Sequence, residues 1–278
     1  MLAGIYPTEE IRGLIRVIFS YICNLSYNQQ ILCKDKQIPE NEKKQIYAIL
    51  DRLKKHEPVQ YIIGETEFYS FPMKVNPSVL IPRPETEELV DLIIKSPQIK
   101  QYSDVSGIKI LDIGTGSGCI AIALARHIPS AEVTAVDISE QALQTARTNA
   151  RLNKTDIRFL QSDILDTDQA ASLISGAFDI IVSNPPYVRN SEQYAMSTNV
   201  LDYEPHGALF VPDTDPLRFY RAIIVLAQKK LTPEGMIYFE INPACDALIT
   251  EMLYNNRFIN TEIIRDLSGK NRFVIAKK

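Results

Sequence analysis

The chain of 278 residues is 45% hydrophobic and 23% charged, with a formal net charge of -4. That balance supports one large domain or two modest ones around a buried core, and it excludes general disorder. The longest apolar runs, such as Cys119–Ala125 and Ala222–Ala227, fall far short of the ~20 residues of a membrane helix, and the excess of acid over base argues against a nucleic-acid binder.

Met1–Pro7 lacks the basic segment and apolar stretch of a secretory signal, so a cytoplasmic location is expected. Thr8 then suits the cap of a first helix, with Glu9 and Glu10 in its opening turn and Ile11, Leu14, Ile15, Ile18 and Ile22 at helical spacing. A shorter helix is expected over Asn28–Cys33. A third begins at Pro39, with Ile46, Ile49, Leu50 and Leu53 on one face and Lys54, Lys55 and His56 at its C-terminal end. Residues 1–58 therefore read as a small helical bundle. Beyond Pro58, Tyr61–Ile63 and Glu67–Phe71 read as extended and Met73–Val75 resumes after Pro72, so residues 59–82 are expected to form a β-hairpin connector. Pro82 and Pro84 delay the next helix until Pro84, which suits its first position, with Glu85, Glu87 and Glu88 following and Leu89, Leu92 and Ile93 carrying it onward. Ser96–Gly107 is a polar connector.

From Ile108 strands and helices alternate. The expected strands are Ile108–Ile113, Glu132–Asp137, Ile157–Gln161, Phe178–Ser183, Gly235–Ile241, Phe258–Arg265 and Asn271–Lys277. The expected helices are Ile120–His127, Glu140–Leu152, Leu217–Lys230 and Ala244–Asn255. This predicts an α/β domain over residues 83–278, a mostly parallel sheet with helices on both faces. Only Asp266–Lys270 separates the last two strands, too few residues for a crossover helix, so those two must be antiparallel. The four cysteines, Cys23, Cys33, Cys119 and Cys245, form no Cys-x-x-Cys pair, so free thiols and no metal site are expected.

Gly114-Thr115-Gly116-Ser117-Gly118 joins the first sheet strand to a helix. Glycines let a backbone turn sharply and approach a ligand closely, and ligands of such sheets lie beyond the carboxyl ends of the strands. Asp137 ends the next strand, where its carboxylate can accept from both ribose hydroxyls of an adenosine-containing cofactor. Asp163, after Ile157–Gln161, either accepts from the adenine amino group or is a turn residue, and the backbone N–H of Ile164 can reach a ring nitrogen. Asp112 either contacts the cofactor or shapes the loop. A dinucleotide fingerprint would need a glycine where Cys119 stands, which disfavours NAD. The loop instead resembles motif I of S-adenosylmethionine-dependent methyltransferases, which implies S-adenosyl-L-methionine as methyl donor and S-adenosyl-L-homocysteine as product.

Asn184-Pro185-Pro186-Tyr187 follows the strand Phe178–Ser183 at the same sheet edge. A planar amino group is a poor nucleophile because its lone pair is delocalised. The Asn184 side-chain oxygen and the Pro185 carbonyl can bind its two N–H groups, aim the nitrogen and stabilise the positive charge that grows on it. Pro186 stiffens the turn and Tyr187 can stack on a flat amide or base. The tetrapeptide resembles motif IV of methyltransferases that modify planar amino groups.

Two further segments, Leu80-Ile-Pro-Arg-Pro-Glu-Thr-Glu-Glu88 and Glu204-Pro-His-Gly-Ala-Leu-Phe210, complete a set of four that closely resembles the HemK/PrmC family of peptide-chain release factor N5-glutamine methyltransferases. The resemblance runs from about Gln60 to the C-terminus. It implies a Rossmann-like class I methyltransferase sheet and a small N-terminal helical domain that touches the release factor. The substrate it implies is the glutamine of the Gly-Gly-Gln loop in class 1 release factors. By the same resemblance Gly114, Thr115, Gly116, Ser117, Gly118, Asp137, Asp163, Ile164 and Asn184 would bind the cofactor. Asn184, Pro185, Pro186 and Tyr187 would hold the glutamine, with Asn184, Pro185 and Tyr187 catalytic. Residues 80–86 would close over the cofactor, Arg83 and Glu85 serving as helix caps or cofactor contacts and Glu204-Pro205 as a structural corner or more. A monomer with no membrane and no direct nucleic-acid substrate is expected; an amino-methyltransferase acting on a base in RNA or DNA is the alternative, and a binding protein without activity a third.

Overall fold

The computed structural model describes residues 1–32, 36–97, 99 and 107–278. Cys33, at the end of the expected second helix, and most of the expected 96–107 connector lie outside the described residues. Met1–Gly64 with Ser197–Tyr203 forms one compact unit, and Glu65–Met196 with Glu204–Lys278 a second.

In the first unit, helices Thr8–Cys23, Tyr27–Leu32, Glu40–Leu53 and Val59–Ile63 surround a core of Leu2, Leu14, Ile18, Ile49 and Leu53. The Tyr6 hydroxyl donates to the Leu53 carbonyl at 2.7 Å. Thr8 is the first helical residue rather than the cap. Pro7 holds that place, its ring fixing the extended conformation from which the helix starts. Tyr61–Ile63, expected to be extended, is helical. Pro58 fixes the extended residue before Val59, and Gly64 at φ 80° closes the helix in the left-handed conformation, so the segment between them fits one short helix that buries Tyr61. The connector expected over residues 59–82 therefore begins as helix, not strand.

In the second unit, β1 (Glu65–Phe68) and β2 (Phe71–Lys74) form an antiparallel hairpin around Tyr69 and Ser70, at φ 50° and 64°. Two left-handed turn residues match the twist of the strands they join. Pro84 occupies the first position of the helix Pro84–Ile94, as the sequence predicts. The remaining strands are β3 (Lys109–Ile113), β4 (Glu132–Asp137), β5 (Ile157–Gln161), β6 (Phe178–Ser183), the two-residue strands β7 (Val188–Arg189) and β8 (Phe210–Val211), β9 (Leu231–Glu240), β10 (Ile259–Arg265) and β11 (Asn271–Lys277). Seven of them form one sheet in the order β10-β11-β9-β6-β3-β4-β5. β10 and β11 are antiparallel as expected, and β11 is antiparallel to β9 as well, so it alone runs against the other strands.

Side chains alternate across the sheet, and both faces are covered. Leu111, Ile113, Ile181 and Phe239 face a core shared with helices Arg218–Lys230 and Asp246–Asn255. Ile110, Ile180, Val182 and Tyr238 face one shared with Pro84–Ile94 and Cys119–His127. Burial on both faces explains the nearly continuous apolar runs. The helix Thr167–Leu173 and the parallel pair β7–β8 are too short to leave a periodic signal in the sequence. Among the described residues, no helix is long and apolar enough to cross a membrane.

Candidate active site

The parallel register aligns the ends of five strands. Ser183 of β6 lies beside Ile113 of β3 and beside Phe239 of β9, and Asp137 of β4 lies beside Gln161 of β5. The Ser183 hydroxyl donates to the Ile113 carbonyl at 2.7 Å, tying two of these ends together. The residues after the strands, Gly114–Gly118, Ile138, Asp163 and Asn184, therefore share one edge.

The glycine loop is pinned to β4 by the amides of Gly114 and Thr115, which donate to the Val136 carbonyl at 2.8 and 3.0 Å. Gly114 and Gly116 have φ of 73° and 55°, and a Cβ on either would meet nothing within 4 Å. Such a backbone leaves room for a ligand against it. Gly118 has another reason to be glycine: a Cβ there would stand 3.1 Å from the Ala146 Cβ on the helix Glu140–Leu152. Thr115 and Ser117 are buried, so they offer a ligand their backbone rather than their hydroxyls. Asp137 accepts from the Gly116 amide at 2.8 Å through Oδ2 and from the Ser139 amide at 2.9 Å through Oδ1. Each oxygen keeps a second lone pair for a ligand hydroxyl. Burial raises its carboxyl above the usual range, against the pull of these amides.

Asp112 is fully buried, and its Oδ2 accepts from the Thr115 hydroxyl at 2.6 Å. It shapes the loop from beneath. Burial pushes its carboxyl up to about 7, against the Thr115 hydroxyl and assisted by the charge of Asp137. An acid raised in this way holds its proton in the folded chain where the unfolded chain has already lost it. Stability is therefore fully retained below the ordinary value of 3.8 and falls as pH rises toward 7. Asp112→Asn is expected to gain on the wild type across that window, by on the order of a few kcal/mol at pH 8. Melting curves of the two proteins between pH 4 and 8 check this, and parallel pH dependences would refute it.

Asp163 is in part the turn residue that the sequence allowed, since its Oδ1 accepts from the Leu165 amide at 2.9 Å. The Ile164 side chain is 9% exposed and belongs to the core, which leaves its backbone N–H as what it can offer a ligand. Ile138, which sequence reasoning missed, is 62% exposed at the rim directly after Asp137. An apolar residue next to a strand-ending acid was the available signal.

Asn184 stands at the end of β6. Its Nδ2 donates to the Thr86 hydroxyl oxygen at 3.1 Å, and the Thr86 hydroxyl donates to Glu240 Oε2 at 2.7 Å. The Tyr187 hydroxyl donates to Glu240 Oε1 at 3.0 Å. Glu240 is 2% exposed and Thr86 is 3% exposed. The Tyr220 hydroxyl holds the Glu240 carbonyl at 3.0 Å, and the Asn242 amide donates to the Tyr187 carbonyl at 3.3 Å. Burial raises the Glu240 carboxyl, against the Thr86 and Tyr187 hydroxyls and the charge of Arg272. Burial and the charge of Glu240 hold the Tyr187 hydroxyl far above its usual range, so it stays a donor. The arrangement presents an amide whose nitrogen end is already occupied, which leaves Asn184 Oδ1 as its acceptor.

Two motifs of the sequence meet nearby. Arg83 donates to Glu204 Oε1 at 2.6 Å, and the Ile81 amide donates to Glu204 Oε2 at 3.3 Å. Arg83 makes no side-chain cap on the helix it precedes. Its partner is the almost fully buried Glu204, so the Glu-Pro segment anchors the Leu-Ile-Pro-Arg segment. Glu240 escaped sequence reasoning, and Thr86 was read only as part of the 80–86 segment, because only the fold brings the two together beside Asn184.

A family model described as Methyltransferase small domain matches residues 88–204, and one described as PrmC N-terminal domain matches residues 2–64. The chain is 45% identical over 273 residues to the release factor glutamine methyltransferase of Flavobacterium psychrophilum, covering 98% of this chain and 94% of that one. It is 43% identical over 278 residues to the release factor glutamine methyltransferase of Bacteroides thetaiotaomicron, covering 100% of this chain and 96% of that one. Among solved structures, a T. thermophilus 16S rRNA methyltransferase in complex with AdoMet and guanosine matches with a TM-score of 0.52 and 21% identity, over 77% of this chain and 49% of that one, a likeness of fold.

Proposed function

The chain belongs to the release factor glutamine methyltransferase family, and on that premise we propose that it transfers a methyl group from S-adenosylmethionine to the side-chain amide nitrogen of the Gly-Gly-Gln glutamine in class 1 release factors. The observation that carries this reading is the Asn184 amide, fixed through Nδ2 at the sheet edge where the glycine loop also ends.

The donor fits the open backbone over Gly114 and Gly116 and the carboxylate of Asp137. Gly114–Gly118 would lie against its methionine part, Asp137 would accept from its ribose hydroxyls, and Asp163 and the Ile164 amide would meet its adenine, with Ile138 as an apolar cover. When bound, S-adenosylmethionine supplies an electrophilic methyl on its sulfonium. The chain's own part is to orient the acceptor. Asn184 Oδ1 and the Pro185 carbonyl accept the two N–H groups of the glutamine amide, which aims the nitrogen and stabilises its growing positive charge. Pro186 keeps that carbonyl stiffly placed, and Tyr187 flanks the amide plane. A general base is not needed before transfer, since the nitrogen sheds its proton once it has become cationic.

The N-terminal helical unit would bind the release factor away from the glutamine, and the chain would act as a monomer in the cytoplasm. A net charge of -4 favours a protein amide over a base in RNA or DNA. Incubation with radiolabelled S-adenosylmethionine and a purified class 1 release factor, or with RNA or DNA instead, tests the reading. Label is expected on the release factor and lost when its Gly-Gly-Gln glutamine is replaced. Label on nucleic acid alone would overturn it.

A further inference from the structure

We infer that Thr86 and Glu240 are positioning residues that set which end of the Asn184 amide meets the substrate. The inference rests on reading Asn184 as the acceptor for the substrate amide, and it concerns how that role is enforced.

An ionised carboxylate can only accept hydrogen bonds, whereas a hydroxyl has one proton to give and lone pairs to receive. Glu240 takes the protons of both Thr86 and Tyr187, at 2.7 and 3.0 Å. The Thr86 oxygen, its proton spent, can then only accept from Asn184. That forces Nδ2 toward Thr86, where the 3.1 Å bond lies, and leaves Oδ1 free. A side-chain amide is otherwise nearly symmetric in shape, and the opposite orientation would present an NH2 group to the NH2 of a glutamine, donor against donor. The two accepting oxygens of Glu240 thus fix the direction of a chain of hydrogen bonds whose last member faces the chemistry. The same carboxylate orients Tyr187 through its other oxygen, so two residues of the Asn-Pro-Pro-Tyr turn depend on one side chain of β9. All four groups are buried or half-buried, where hydrogen bonds of this kind hold their geometry most firmly.

A double-mutant cycle on the full chain tests this. Methyl transfer in a single turnover is measured for the wild type, Thr86→Val, Asn184→Ala and the double variant, with S-adenosylmethionine affinity measured in parallel by calorimetry. Thr86→Val is expected to slow transfer by about tenfold in the wild-type background, the typical scale of one buried hydrogen bond. In the Asn184→Ala background the same change should cost less than about twofold, because the group it positions is gone. Cofactor affinity should stay level, and Thr86→Ser should recover most of the lost rate. A second readout needs no acceptor: the side-chain amide NMR signal of Asn184, identified by its loss in Asn184→Ala, should shift in Thr86→Val and in Glu240→Gln. Equal losses of rate in both backgrounds, or an Asn184 amide signal indifferent to both changes, would overturn the proposal. If the wild type transfers nothing to a release factor, the substrate reading has failed, and the NMR signal still decides the positioning role.

Discussion

Asn184→Ala is expected to lower methyl transfer by about 10²–10³-fold, the usual loss when one preorganised contact to developing charge is removed. S-adenosylmethionine binding should change by no more than about threefold, since Gly114–Gly118 and Asp137 stay in place. The reason for so large a loss lies in the nucleophile. An amide nitrogen has little basicity until its lone pair turns away from the carbonyl, and Asn184 Oδ1 would favour that state by accepting from it. The Pro185 carbonyl alone would leave the nitrogen free to rotate. Removal of the side chain also leaves Thr86 with an unused lone pair, a small cost beside the lost contact to the reacting group. Single-turnover transfer and calorimetry on the same preparation separate the two effects. Transfer within about threefold of wild type would remove Asn184 from the mechanism.

Asp137→Ala should act on the other half of the site. Two ribose hydroxyls donating to one carboxylate are worth about 1.5–3 kcal/mol each, so the dissociation constant of S-adenosylmethionine should rise by about 10²-fold or more. The same carboxylate also receives the Gly116 and Ser139 amides. Its loss therefore loosens the glycine loop as well as deleting the contact. Saturating cofactor should recover much of the turnover of Asp137→Ala and none of that of Asn184→Ala. An affinity within about threefold of wild type would show that Asp137 serves only the loop.

Much of the sheet was legible in the sequence, because strands buried on both faces read as apolar runs and helices with one covered face read at helical spacing. Glu132–Asp137, Ile157–Gln161, Phe178–Ser183 and Asn271–Lys277 have the same bounds in the sequence reading and in the structure. The helix Val59–Ile63 was not legible, since five residues span too few turns to show a period. The site divides the same way. The glycine loop, Asp137 and Asn184–Tyr187 announce themselves by local pattern. Glu240 does not, because it meets Thr86, 154 residues away, only through the strand order. Arg83 and Glu204 both lie in motifs, but their pairing across 121 residues shows only in the fold. Motifs mark the segments, while the partner that each side chain meets is supplied by topology.

The parallel pairing of β6 with β9, Ser183 beside Phe239, acts as a ruler for the site. Glu240 is the next step on one strand and Asn184 the next step on the other. Deletion or insertion of a single residue within Met236–Glu240, the uninterrupted part of β9, would turn its side chains to the opposite face and put Phe239 or Ile241 where the carboxylate belongs. This strand should therefore be length-locked. Substitutions at its core-facing apolar positions can be absorbed by repacking, but changes in residue count cannot. Libraries that vary chain length should thus find no active variants within Met236–Glu240, a limit drawn by counting residues rather than by chemistry.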